Sequence, residues 1–191
     1  PSVDQTSQYP SAIIQKIFSD MGSLTVKPQF VVGTGDYMYA TKNGSAGATQ
    51  IQKFVSAAAT FSGVLFPAMG NHECTGYTSD NCATTTTNNY NDFMNSMMQP
   101  LGQTKPYYRF DVTSSPAGQW KAKFLVLAMN AWSSTQSSWL TTQLQDPTDY
   151  TFIIRHEPED ATTAPGVTPS DAIISQYPYT LKIVGQIGRA S

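Results

Sequence analysis

Three short polar patches follow runs of apolar residues, and their residue types are those that bind divalent metals. They are Gly35-Asp36-Tyr37-Met38-Tyr39, Gly70-Asn71-His72-Glu73 and the single residue His156. A carboxylate, an amide oxygen and an imidazole together suit a borderline-hard ion such as Zn, Fe or Mn. The spacing therefore predicts a metal site built from residues that are distant in the sequence.

The apolar runs before these patches are predicted to be strands. Residues 30–32 and 64–69 are short and apolar, and predicted amphipathic helices over residues 11–22 and 48–60 precede them. This α–β–α–β alternation is typical of a parallel sheet covered on both faces. The carboxyl ends of its strands share one edge, where ligands bind.

Further elements follow in the second half of the chain. The sequence predicts helices over residues 90–98, 135–144 and 170–175, a β-hairpin formed by 107–112 and 120–127, and strands over 150–154 and 181–184. We expect an α/β fold, a layered and mostly parallel β-sheet with flanking helices, in a single domain over residues 1–191.

The composition excludes several classes of function. Charged residues make up 13% of the chain, about half the usual fraction, and the net charge is −2 with no cluster of Lys or Arg. We therefore expect no binding to nucleic acid. No apolar run approaches the length of a membrane span, so we expect no membrane association. The motifs of serine hydrolases and of P-loop proteins are also absent from the sequence.

The two cysteines, Cys74 and Cys82, enclose a short polar loop that a disulfide would close readily. A disulfide is typical of an oxidising compartment, so we expect a secreted or periplasmic protein. The other interpretation, two free thiols in a reducing compartment, stays open at this point.

The motifs resemble a known family. The order Gly-Asp-x-x-Tyr, Gly-Asn-His-Glu and a strand-terminal His, with Gln136-x-x-Trp139-Leu140 between the last two, is similar to the calcineurin-like metallophosphoesterases, in the branch that includes the purple acid phosphatases. The resemblance covers about residues 29–184. It implies an α/β/β/α sandwich and two metals bridged by an Asp. Water activated there attacks the phosphorus of a phosphoester.

The resemblance also implies roles for individual residues. Asp36 would be the bridging carboxylate, with Asn71 and His156 as ligands of one metal. His72 would face the substrate and would stabilise phosphoryl charge or protonate the leaving alkoxide. The supporting residues near the site would be Tyr39 and Glu73.

Two family motifs are missing. The family's first strand, which ends in an Asp, would precede the helix at residues 11–22, and its Gly-His-x-His motif would fall on residues 185–188. Those positions are Gly185, Gln186, Ile187 and Gly188, with no histidine. Gln186 would be a poor fourth ligand. The resemblance therefore implies a chain truncated at both ends that binds one metal where the intact family binds two.

Three functions remain open. The first is a metal-dependent phosphoester hydrolase acting on a small-molecule substrate, weakened or inactive in this chain. The second is a non-catalytic binding module or scaffold that retains the fold. In the third the motifs are only turns, and residues 74–89 carry recognition. Because missing strands would leave a sheet edge unpaired, we also expect a tendency to self-associate.

Overall fold

Two β-sheets face each other in this protein, and helices lie outside them. The computed structural model describes residues 3–116 and 118–186. In chain order the α-helices and strands are α1 (Ser11–Gly22), β1 (Phe30–Gly33), α2 (Ala46–Ala58), β2 (Val64–Pro67), α3 (Asn88–Phe93), β3 (Tyr108–Thr113), β4 (Lys121–Val126), α4 (Ser134–Gln145), β5 (Tyr150–Arg155), α5 (Val167–Ile174) and β6 (Leu181–Val184). Ile187 and Gly188, two positions of the missing Gly-His-x-His motif, lie outside the described residues.

The strand pairing confirms the predicted fold class, a layered and mostly parallel α/β arrangement. The first sheet contains β1 and β2 in parallel, and the second has the order β3-β4-β5-β6. The predicted hairpin β3–β4 is antiparallel, whereas β4, β5 and β6 run parallel. The strands that precede Asp36 and His156 thus belong to different sheets rather than to one.

A column of stacked aromatic rings joins the two sheets. The ring centroid of Phe66 on β2 lies 3.7 Å from that of Phe110 on β3. Phe124 lies 4.6 Å from Phe110 and also 4.6 Å from Phe152 on β5. Phe30 on β1 meets the rings of Phe110 and Phe124 edge-on. Buried aromatic pairs contribute about 0.5–1.5 kcal/mol each beyond their area, so this column fixes the spacing of the layers.

Helix α1 differs from its predicted packing. Its apolar residues were expected to face inward, but Ile13 and Ile17 are 65% and 53% exposed. Of the residues of α1 only Phe18 is fully buried, against the rings of Phe54 and Phe61. The periodicity of the sequence indicates a helix correctly, but how much of its apolar face is covered depends on the neighbouring elements.

The third predicted helix is shorter than expected. It ends at Phe93 and continues as a π-helical turn over Met94–Met98 and then a 3-10 turn over Gln99–Leu101. Pro100 lacks the N–H that an α-helix would need there. Met97 and Met98 are buried, so these thioethers belong to the hydrophobic core.

The predicted disulfide is formed. Cys74 and Cys82 are bonded and both are buried, which fits an oxidising environment for the folded chain. No helix in the described part of the chain has the length and apolar character needed to cross a bilayer.

A buried arginine attaches α5 to the second sheet. The guanidinium of Arg155, at the end of β5, donates to both carboxylate oxygens of Asp171 at 3.0 Å and to Ser170 Oγ at 3.0 Å. Lys182 on β6 donates to the same carboxylate at 2.7 Å. Burial alone would raise the pKa of Asp171, but the hydrogen bonds from Arg155 and Lys182 lower it. The carboxylate therefore stays charged in the folded protein.

We predict that Asp171→Asn destabilises the fold by about 3 kcal/mol near neutral pH, because it leaves the Arg155 guanidinium buried without its counter-charge. The pKa of Asp171 is about 3.9 in the unfolded chain and lower in the folded one. The ionised Asp171 therefore stabilises the fold fully at a pH above its unfolded-state pKa. This stabilisation is lost as the pH falls through its folded-state pKa. Urea denaturation of both proteins between about pH 7 and pH 2 measures the difference.

The control for this prediction is Asp20→Asn, which removes an exposed pair with Lys16. It is expected to change the unfolding free energy by less than about 0.5 kcal/mol. A destabilisation by Asp171→Asn that stays the same at the lowest pH would contradict the role of the charge.

Candidate metal centre

The predicted metal ligands follow the carboxyl ends of three strands, and two of them meet directly. Asp36 follows β1, Asn71 follows β2 and His156 follows β5. His156 Nε2 lies 3.1 Å from Asp36 Oδ2, and the backbone N–H of His72 donates to Asp36 Oδ1 at 3.1 Å. The structure thus brings Asp36 and His156 together across the two sheets.

The ring of His156 is held in one orientation. Its Nδ1 lies 2.6 Å from the carbonyl oxygen of Thr34, so Nδ1–H donates to that oxygen and Nε2 points at Asp36. Burial alone would lower the pKa of His156, but the hydrogen bond and charge of Asp36 raise it to about 9. A backbone partner on one nitrogen is how ligand histidines present the other nitrogen to a metal.

Asn71 offers an unused oxygen. Its side-chain Nδ2 donates to the carbonyl oxygen of Gly76 at 2.8 Å. Its Oδ1 is buried and has no hydrogen-bond partner within the described residues. A buried carbonyl oxygen without a partner costs about 1–3 kcal/mol, which a ligand contact would offset.

The backbone around Asp36 has an unusual conformation. Asp36 has a φ of 60°, which few residues other than glycine adopt, and Gly35 before it has a φ of 100°. A Cβ atom on Gly35 would lie 2.7 Å from His156 Nδ1, and one on Gly70 would lie 2.4 Å from Asp36 Oδ1. Both glycines are therefore required for the two loops and the histidine to approach so closely.

Glu73 is the residue that holds the two loops together. Its Oε1 accepts from the N–H groups of Tyr37 and Met38 at 2.7 and 3.3 Å. Its Oε2 accepts from those of Asp36 and Gly70, both at 2.8 Å. Burial and the charge of Asp36 raise the pKa of Glu73 to about 7, against the opposing effect of the hydrogen bonds. The expected supporting role is thus a structural one, made through backbone groups.

Tyr39 and His72 lie side by side, with ring centroids 4.8 Å apart. Buried Gln50 fixes Tyr39 by accepting from its N–H at 2.6 Å and donating to its carbonyl oxygen at 3.2 Å. Buried Asn89 donates to the carbonyl oxygen of His72 at 3.2 Å. Burial lowers the pKa of His72, which the charge of Asp36 opposes.

Gln186 and Glu157 flank His156. The backbone N–H of Gln186 donates to the carbonyl oxygen of His156 at 2.8 Å, so the contact that the structure shows between them is made by the backbone. Glu157 was not predicted as a site residue, but it is fully buried and neither carboxylate oxygen has a partner within the described residues. Burial raises the pKa of Glu157 to about 7. Its position directly after an apolar strand was the only signal in the sequence.

Two side chains at the site have the separation of neighbouring metal ligands. Metal–ligand bonds of about 2.0–2.2 Å place neighbouring ligand atoms about 3 Å apart, which is the separation of Asp36 Oδ2 and His156 Nε2. Asn71 Oδ1, on the loop that follows β2, is a buried oxygen without a hydrogen-bond partner within the described residues. Across residues 3–116 and 118–186, no cluster of three or more His, Cys, Asp or Glu side chains could hold a metal. A metal held by Asp36 and His156 would therefore need further ligands of another type, such as the amide oxygen of Asn71.

Comparison of the chain with models of known protein families and with curated proteins found no match. The resemblance to the metallophosphoesterases therefore stays an inference from the motifs.

We predict that Glu73→Gln destabilises the protein by about 3 kcal/mol and weakens any metal binding. A glutamine side chain has one acceptor oxygen, so its NH₂ group would face two of the four N–H donors. Chemical denaturation and metal titration of the variant test this.

Glu159→Gln is the matched control, since the side chain of Glu159 is largely exposed. We expect it to change the unfolding free energy by less than about 0.5 kcal/mol. Equal stabilities of the two variants would show that Glu73 does not hold the loops.

Proposed function

We propose that this chain is a metal-dependent phosphoester hydrolase with one divalent metal, Zn, Fe or Mn, on Asp36, Asn71 and His156. The observation that carries the proposal is the close approach of the Asp36 carboxylate to His156 Nε2, 3.1 Å apart, at the ends of strands from different sheets. The unpaired oxygen of Asn71 supports it. So does the resemblance of the motifs to the metallophosphoesterases.

In this proposal each residue has a separate role. A divalent metal supplies Lewis acidity and a more acidic water. Asp36 contributes negative charge that favours a cation, and His156 is oriented for binding by Thr34. The backbone of His72 contacts Asp36, and its half-buried side chain lines a cavity that the phosphoester would enter.

The overall reaction adds water across the phosphoester. The bond from phosphorus to the alcohol oxygen breaks, and a bond from phosphorus to the water oxygen forms. The leaving alkoxide takes a proton from His72, which recovers one from solvent, and the attacking water gives one up to solvent. The products are an alcohol and a phosphate.

A non-catalytic binding module that retains the fold is the second candidate. It is favoured by the small number of anionic and imidazole donors within the described residues. Such a module would bind a metal or a phosphoester without turnover.

We further propose that the protein is secreted or periplasmic, because its disulfide is buried and formed.

We predict that the protein binds one divalent metal per chain and that Asp36→Asn weakens this binding by at least about tenfold. Asparagine tolerates the positive φ of Asp36, so this variant removes the charge with little added backbone strain.

His72→Ala should retain the metal and lower turnover of p-nitrophenyl phosphate by about 10²–10⁴-fold. Calorimetry with Zn²⁺ and Mn²⁺ and a chromogenic assay measure both effects.

Asp160→Asn is the matched control, because Asp160 is exposed. It should change neither metal binding nor turnover. If the parent protein binds no metal, the assignment of Asp36, Asn71 and His156 is wrong. If it binds metal without turnover, the binding-module alternative replaces the hydrolase.

A further inference from the structure

A cavity of about 460 Å³ opens beside His72. This volume lies within the range of about 300–1,000 Å³ that is usual for small-molecule sites. Its walls include Tyr39, His72 and Tyr77, with Val3 and Lys42 at its rim. It is therefore the concave surface that the side chain of His72 faces.

Hydrogen bonds hold the backbone of both tyrosines that line this cavity. Gln50 fixes the backbone of Tyr39, and the N–H of Asp4 also donates to the carbonyl oxygen of Tyr39 at 3.0 Å. Tyr77 belongs to the loop closed by the Cys74–Cys82 disulfide. Its N–H donates to Thr75 Oγ1 at 3.1 Å. The backbone positions of both tyrosines are thus defined before a ligand binds, which lowers the cost of ordering them.

The exposure of the two tyrosines requires an explanation. Tyr77 is 68% exposed and Tyr39 is 39% exposed, although both border a concave site. Exposed aromatic rings around a cavity are typical of sites that stack a flat ring of a ligand.

One cationic side chain, that of Lys42, lines the cavity. Lys42 is the charged residue among the lining side chains in the part of the chain that the structure describes. The nearby carboxylate of Asp4 accepts from the N–H and hydroxyl of Thr41 at 2.8 and 2.6 Å. A phosphoester is an anion of the kind that Lys42 would attract.

A second cavity does not reach His72. It has about 540 Å³ and lies along β1 and α1, where it touches Asp36 but none of Asn71, His72 or His156. The leaving group of a phosphoester must lie next to the residue that protonates it. The smaller cavity meets that requirement through His72, and Asp36, Asn71 and His156 are not among the residues that line it.

We infer that the cavity between Tyr39, His72 and Tyr77 receives the alcohol portion of the substrate, and that this alcohol carries a flat aromatic ring, as in a nucleoside monophosphate. The inference rests on the proposed function for the assignment of the leaving group. The stacking of the ring itself depends only on the cavity.

The test compares two phosphoesters that share the same sugar and differ in the ring. Adenosine 5′-monophosphate and ribose 5-phosphate are titrated into the protein by calorimetry, without added metal and with one equivalent of Mn²⁺. We expect the nucleotide to bind about tenfold more tightly, since stacking of one base contributes about that factor. Where turnover is measurable, KM should show the same preference while kcat differs little.

Three variants identify the contact. Tyr77→Ala should remove most of the preference for the nucleotide, and Tyr77→Phe should retain it because the ring remains. Tyr179→Ala is the matched control, since Tyr179 is similarly exposed and does not line the cavity. Thermal melting of all three checks that the fold is intact.

The outcomes separate this inference from the proposed function. Equal affinities for the two phosphoesters, or a preference that Tyr77→Ala does not change, would overturn the inference even if the protein hydrolyses phosphoesters. A preference that depends on Tyr77 in a protein without metal binding or turnover would support the aromatic cavity and overturn the hydrolase.

Discussion

The buried carboxylate of Glu73 is the interaction on which the site depends. Four backbone N–H groups from the loops after β1 and β2 converge on its two oxygens. Buried N–H groups need partners, and the sharp turn at Asp36 leaves these without partners in a regular strand. Because one of the four belongs to Asp36, the same contact holds the strained backbone that aims the Asp36 carboxylate at His156.

The aromatic column between the sheets also positions the site, because it sets where the strands end relative to one another. It stacks β2 on β3 and continues through β4 to β5, so it sets the height at which β5 ends relative to β1. Interior packing is as dense as that of organic crystals, and a shift of one ring would displace the strand ends. The position of His156 next to Asp36 thus depends on apolar contacts as well as on the polar groups of the site.

Much of this arrangement was predictable from the sequence because it depends on local patterns. Apolar runs that end in Asp36, Asn71 and His156 indicated strand ends, and the spacing of Cys74 and Cys82 indicated their disulfide. The roles of other residues depend on contacts that no local pattern contains. The four hydrogen bonds of Glu73 and the burial of Glu157 are of this kind. The exposure of Ile13 and Ile17 on α1 is another example, because the periodicity of the helix does not show whether a neighbouring element packs against them.

The hydrogen bond between His156 and Thr34 joins residues that are 122 positions apart. Closing so long a loop has a large entropic cost, and contacts of this range form late in folding. During synthesis Asp36 and Asn71 leave the ribosome well before His156. The disulfide loop and the pairing of β1 with β2, by contrast, need only residues from the first half of the chain. We therefore expect the site to assemble as the final step of folding, so that its geometry reports whether the whole chain has reached its native state.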